Sequence, residues 1–282
     1  MNMYKVINTI NLSEFSTKET VEKVEKKLKK LRKELSKLQD AMYAEGKYAV
    51  LICIQGMDTS GKDSLIREVF KDVNAQGIEV TSFKVPSELE KKHDYLWRHY
   101  IALPERGKIG IFNRTHYENV LVTRVHPEYI VEEKIPAATS VDVLDDAFFN
   151  HRMEEINNFE KHIADNGIII LKFFLNLSKE EQKNRLLRRL RLKEKNWKFS
   201  PGDLKERKLW DEYQFCYQEL LNKTSKEHAP WFVIPADDKH TTRLKVAEII
   251  VETLDTYNFK EPELPEKYKV EISNYKKQLE SE

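Results

Sequence analysis

Residues 48–69 read YAVLICIQGMDTSGKDSLIREV, and within them Gly56, Gly61 and Lys62 have the spacing of the first seven positions of G-x-x-x-x-G-K-[ST]. In such a loop, successive backbone N–H groups and a helix N-terminus surround a phosphate, while the lysine adds a mobile positive charge. Gly56, Thr59, Ser60, Gly61, Lys62 and Asp63 are therefore candidate phosphate-binding residues. The eighth position departs from the pattern, since Asp63 stands where a Ser or Thr would hold magnesium. Asp58 places a carboxylate inside the loop. A carboxylate beside phosphate is repelled unless a cation lies between them, which makes Asp58 a candidate metal ligand or proton acceptor; a turn-stabilising Asx residue is the alternative.

A second polar group follows the short apolar run 108–112, where Asn113, Arg114, Thr115, His116, Tyr117 and Glu118 stand in succession. The C-terminal edge of a strand is where α/β sheets bind ligands. Phosphate-loop enzymes carry a magnesium-binding Asp at such a strand end. Asn113 is a poorer ligand, and Glu118 offers the carboxylate it lacks. Arg114 has the geometry to grip a phosphate with two parallel hydrogen bonds, against the plainer reading of a structural Arg114–Glu118 pair. A third group, Arg185, Arg188, Arg189, Arg191, Lys193 and Lys195, has Glu194 as its only acid. Like charges at helical spacing destabilise a helix unless an anion binds, so a polyanionic substrate is expected there, against the plainer reading of a solvated helix face. His116 and His126 have no Cys or carboxylate at ligand spacing, and no zinc site is expected.

The elements that must position these groups alternate. Apolar runs at 49–54, 108–112, 167–175 and 231–234 read as strands, as does the mixed stretch 79–85 broken by Pro86, and amphipathic patterns between them read as helices. A parallel five-stranded sheet in a three-layer α/β/α arrangement follows, with a helical lid at about 179–212 inserted between the fourth and fifth strands. The expected division is a helical extension over 1–47, a catalytic domain over 48–258 and a loosely held polar tail over 259–282. Residues 21–42 carry apolar side chains alternately three and four apart, with Ser16 and Glu19 as a capping box and Gly46 as a stop. Such a seam suits an intermolecular coiled coil or a helix laid across its own domain. Helices are also expected over 93–103, 143–164 and 242–257, from Ser178 with Glu181, and from Ser200-Pro201 through residue 221.

The charge is balanced, with 48 Lys+Arg against 47 Asp+Glu, so nothing global recommends a nucleic-acid or membrane partner. No apolar run approaches a membrane span or an export signal. Cys53 and Cys216 lie in apolar patterns without paired spacing, as in a reducing compartment, and a cytoplasmic location is expected.

Taken together, GMDTSGKD, SFKVPS, HDYLWR, FNRTHYENVLV, NWKFSPGDLKER and PADDK resemble the family-2 polyphosphate kinases, most closely the subgroup often called class III. The resemblance covers roughly residues 50–245. It implies a P-loop kinase-like fold and magnesium-dependent, reversible transfer of a phosphoryl group from inorganic polyphosphate to AMP and ADP, forming ADP and ATP. Manganese is expected to substitute for magnesium, and guanine nucleotides to serve as further acceptors. Asp58, Lys62, Arg114 and Glu118 fall on the catalytic positions, with Asp58 and Glu118 as metal ligands and Glu118 marking acceptance of monophosphates. Lys84, Arg98, Asn113, Arg114, Tyr117 and Glu118 are expected to contact nucleotide, and Arg185, Arg188, Arg189 and Arg191 to hold polyphosphate. Thr115 and Asn119 depart from the pattern, standing where Ser and Asp are common. The expected assembly is a homo-oligomer, dimer or tetramer. A conventional ATP-dependent nucleotide kinase and a non-catalytic nucleotide- or polyanion-binding protein are the alternatives.

Overall fold

Four of the five strands come from apolar runs buried on both faces, which is the sequence habit of parallel sheets, while the second strand lies at an edge and is partly exposed. The computed structural model describes residues 3–198 and 200–282; Met1, Asn2 and Phe199 of the NWKFSPGDLKER stretch lie outside the described residues. Strands β1 (Ala49–Gln55), β2 (Ile78–Ser82), β3 (Ile109–Asn113), β4 (Ile168–Asn176) and β5 (Trp231–Pro235) pair in parallel in the order β2-β3-β1-β4-β5. Helices α1 (Val24–Glu45), α2 (Lys62–Val69), α3 (Trp97–Tyr100), α4 (Glu118–Val125), α5 (Glu128–Glu132) and α6 (Asp146–Asp165) precede β4. Helices α7 (Lys179–Arg191), α8 (Gly202–Lys208) and α9 (Trp210–Thr224) lie between β4 and β5, and α10 (Lys239–Asp255) and α11 (Glu266–Glu280) follow.

The two faces of the sheet separate by residue parity, as the period of a strand demands. Val50, Ile52 and Ile54 face a layer built from α1, α2 and α10. Leu51 and Cys53 face the opposite layer, where Phe112 and Ile163 of α6 meet them. On that same side Met57, Tyr117 and Leu121 pack against Tyr217 and Leu220 of α9.

The α1 seam is spent inside its own chain. Leu28, Leu35 and Met42 are fully buried in the core that α10 shares, and the helix ends at Gly46 in a left-handed turn whose N–H reaches the Met42 carbonyl. Its start departs from the expected capping box. Ser16 bonds to Lys18, Glu19 accepts from the Tyr4 hydroxyl and pairs with Lys245, and α1 begins only at Val24 after Lys23 in a left-handed conformation. Upstream, residues 4–6 lie antiparallel along the outer edge of β5, with the Val6 N–H on the Trp231 carbonyl (2.9 Å) and the Val233 N–H on the Tyr4 carbonyl (2.8 Å). An edge strand is thereby covered.

Several expected helix limits move, and each for a local reason. The helix expected over 93–103 shrinks to α3, because Asp94 accepts from the Leu96 N–H and starts the turn late. Asp145 and Asp238 cap α6 and α10, so these helices begin at the caps rather than at the first periodic apolar residue. The helix expected from Pro201 through residue 221 is two helices, α8 and α9, parted at Leu209. The polar tail contains α11. Among the described residues no helix is long and apolar enough to cross a membrane.

Candidate active site

The end of β1, the loop that follows it and the start of α2 form the centre of the site. Gly56 has φ +154, and a Cβ there would sit 2.9 Å from Ser60 Oγ and 3.0 Å from the Leu175 carbonyl oxygen, so only glycine fits. Gly56→Ala is expected to lower both the thermal midpoint and turnover, and differential scanning calorimetry beside a rate measurement would detect the joint loss. Thr59 (φ +66) and Gly61 (φ +106) are also left-handed, concentrating backbone strain in six residues. Lys62 opens α2 and folds back over the loop, its Nζ donating to the Gly56 carbonyl at 2.7 Å. Burial pushes its ammonium pKa down, against the charge of Asp58.

From the adjoining strand, Asn113 Nδ2 donates to Asp63 Oδ1 at 2.9 Å. The unexpected aspartate in the loop and the unexpected asparagine at the strand end are thus partners. The next residue, Arg114, has φ +58, uncommon for a residue with a Cβ, and its half-exposed guanidinium lies 3.5 Å from Asp58 Oδ1. Burial opposes its charge, but Glu118 and Asp58 outweigh that and raise its pKa. Glu118 stands at the start of α4 and accepts from Gln55 Nε2 at 3.0 Å, while the same amide donates to Thr115 Oγ1 at 3.1 Å. Gln55 is absent from the residues foreseen above. Its signal was there, a polar side chain ending an otherwise apolar strand.

Beneath this turn lies a fully buried polar group. Lys172, in the middle of β4, donates to Glu160 Oε2 (2.6 Å), the Tyr117 hydroxyl (2.7 Å) and the Thr224 carbonyl (2.7 Å). Glu160 Oε1 accepts from the Tyr117 hydroxyl at 2.7 Å and lies 3.0 Å from His116 Nε2. Burial favours a neutral Glu160, but the Lys172 ammonium and the His116 hydrogen bond outweigh it and hold the carboxyl below its usual range. Tyr117, expected at the nucleotide, is instead buried with its hydroxyl in this network. Its side chain supports the turn from below.

The lid residues divide. Arg185, expected to grip polyphosphate, is buried and fully committed: it donates to the carbonyls of Thr59 and Ser60 (both 3.0 Å), Ala236 (2.6 Å) and Asp237 (2.9 Å), and to Glu181 (2.7 Å). It rivets the phosphate loop to the segment after β5. Arg189 pairs with Asp203 at 2.6 Å, joining α7 to α8, whereas Arg188 and Arg191 are exposed. Gln182 Nε2 donates to the Asp58 carbonyl (3.2 Å), and Arg207 donates to Gln182 Oε1 (2.6 Å). Asp203 lies within electrostatic reach of the loop, since burial and then the Asp58 charge raise its carboxyl pKa. Nothing in its spacing foretold this.

On the other flank, Arg98 is buried over the Phe83 ring, donates to the Lys84 carbonyl at 2.8 Å, and leaves the Lys84 side chain exposed at the rim. The Glu90 and Glu118 charges partly offset the burial that lowers its pKa. Asp58, Lys62, Arg114 and Glu118 therefore come together, with Arg98 in reach of Glu118. No group of three or more His, Cys, Asp or Glu side chains that could hold a metal ion occurs among the described residues. Magnesium does not require one, because it is commonly held by one or two carboxylates together with substrate phosphate and water. Asp58 and Glu118, whose charges both act on Arg114, supply the two carboxylates for that demand.

The comparison with known proteins agrees with this fold. Residues 18–262 match the model of the family described as polyphosphate kinase 2. The chain is 45% identical over 245 residues to the ADP-polyphosphate phosphotransferase of Rhodopseudomonas palustris, covering 87% of this chain and 84% of that protein. It is 46% identical over 221 residues to the AMP/ADP-polyphosphate phosphotransferase of Meiothermus ruber, covering 78% of this chain and 77% of that one. The crystal structure of polyphosphate kinase 2 from Arthrobacter aurescens TC1 superposes with a TM-score of 0.84 at 33% identity, over 93% of this chain and 91% of that one. A parallel five-stranded sheet with a phosphate-loop turn at its centre, together with these matches along most of its length, places the chain in the polyphosphate kinase 2 family.

Proposed function

We propose that the chain transfers the terminal phosphoryl group of inorganic polyphosphate to AMP and ADP, with guanine nucleotides as further acceptors. The observation that carries this is the pairing of Asp63 with Asn113. In P-loop enzymes that split ATP, a loop Ser or Thr and a strand-end Asp hold the metal. Here those two positions bond to each other, and the carboxylates beside Arg114 are Asp58, 3.5 Å from its guanidinium, and Glu118, which accepts from Gln55.

In the proposed reaction an oxygen of the acceptor's terminal phosphate forms a bond to the end phosphorus of the polymer. The bridging P–O bond breaks, and polyphosphate leaves one unit shorter. Lys62 and Arg114 offset charge on the transferred group's equatorial oxygens, and the loop N–H groups fix its orientation. Glu118, held by the Gln55 amide, faces the acceptor side. Arg188 and Arg191 draw the polyanion from solution, and Arg185 keeps the loop rigid while it binds. Magnesium, when bound through Asp58 and Glu118, supplies further neutralisation of the phosphates.

Purified chain supplied with AMP or ADP, polyphosphate and magnesium is expected to form ATP, read by coupled luminescence. Formation of ADP from AMP and ATP without polyphosphate, and none with it, would refute the reading. Asp58→Asn is expected to reduce turnover about 100-fold or more while nucleotide still binds, as calorimetric titration would show. An unchanged rate would remove Asp58 from the reaction.

A further inference from the structure

Helix α11 carries four large apolar side chains, Tyr268, Ile272, Tyr275 and Leu279, which are 42%, 54%, 61% and 69% exposed. Their spacing of four, three and four residues sets them on one face, at positions d, a, d and a of two heptads. Among the described residues no hydrogen bond or ion pair joins α11 to another element; Lys269 pairs with Glu266 and Lys276 with Glu280, both inside the helix. The seam of α1 has the same spacing and is buried against its own domain. That of α11 is left uncovered.

We propose that α11 is an assembly arm, and that its occupant is α11 of a second copy of this chain in parallel register. The flanking charges select both the occupant and the direction. In the heptad set by the seam, Lys269 and Lys276 take e positions and Glu271 a g position. A parallel pair brings Glu271 of each copy beside Lys276 of the other, two attractive contacts across the seam. An antiparallel pair would set e positions against each other, bringing Lys269 near Lys276 and two ammonium groups together. The sequence is thus complementary to itself in one orientation. Tyrosines at both d positions bury a ring while keeping the hydroxyl at a wet rim, which suits a reversible contact. Two heptads make a small interface, so association is expected to depend on concentration.

The test uses the full chain. Ile272→Cys puts a thiol at a seam position that meets its own counterpart only in a parallel pair, whereas Ser273→Cys faces outward. Cys53 and Cys216 are buried and free and stay out of the reaction. Under mild oxidation Ile272→Cys is expected to form a covalent dimer on a non-reducing gel, and Ser273→Cys to remain mostly uncrosslinked. In light scattering over a concentration series, Glu271→Lys and Lys276→Glu are each expected to weaken self-association several-fold, and the two changes together to restore it. Equal crosslinking of the two cysteine variants would overturn the proposal. So would a failure of the paired charge reversal to restore association, or a mass unchanged by Ile272→Glu with Leu279→Glu.

Discussion

Replacing Arg114 with alanine is expected to lower kcat/KM for ADP with polyphosphate by about 10³-fold, the scale of losing a guanidinium that stabilises a phosphoryl-transfer transition state. Its side chain is half exposed and touches Asp58 rather than the core, so the thermal midpoint should move by only a few degrees. Arg114→Lys should recover little, because an ammonium is a point charge and cannot form two parallel hydrogen bonds to a phosphate. Arg114→Gly separates the two properties of the position. The backbone there is left-handed, a conformation costing a residue with a Cβ on the order of 1 kcal/mol, so the glycine variant should be as stable as the parent or more so while remaining inactive. Steady-state kinetics and thermal unfolding on the same preparations decide the matter. A variant that kept its activity would remove Arg114 from the reaction.

Lys172→Met is expected to be the most destabilising single change among those considered, by about 3–5 kcal/mol, because it leaves the Glu160 carboxylate buried without its cation. Glu160→Gln should cost a comparable amount by stranding the ammonium. Changing both should cost less than the two single effects added, since neither charge then remains to be buried. Chemical denaturation of the three variants measures this coupling, and strict additivity would refute it. Turnover should fall with stability in the single variants, because Tyr117 links this pair to the turn that carries Arg114 and Glu118.

How much of this could be read from the sequence depended on the range of the interaction that fixed each part. The loop from Gly56 to Lys62 was legible because its spacing is local and its flanks switch from strand to helix within a few residues. All five strands were found, four of them because apolar runs bounded by breakers leave few other readings, and the second from a mixed stretch ended by Pro86. Strand order and the role of residues 4–6 were not legible, because pairing partners far apart leave no periodic mark. The lid arginines show the same limit in chemistry. Composition identified a cationic helix, but whether Arg185 met a phosphate or a carbonyl was decided by where the segment after β5 came to rest. Asp63 and Asn113 each looked like a departure from a pattern, and only their 2.9 Å contact makes them one feature. Tyr117 sits in a motif whose polar residues suggested ligand contact, yet it caps the start of α4 with its ring buried and its hydroxyl on Glu160 and Lys172.

The pairing of residues 4–6 with β5 also bears on how the chain is made. More than two hundred residues separate Val6 from Trp231, so the earlier segment leaves the ribosome long before its partner strand exists. Until then it must wait, and the sheet is closed at that edge only when β5 has emerged. A segment translated before all five strands is thus paired only after the last of them, as a clasp on the finished sheet.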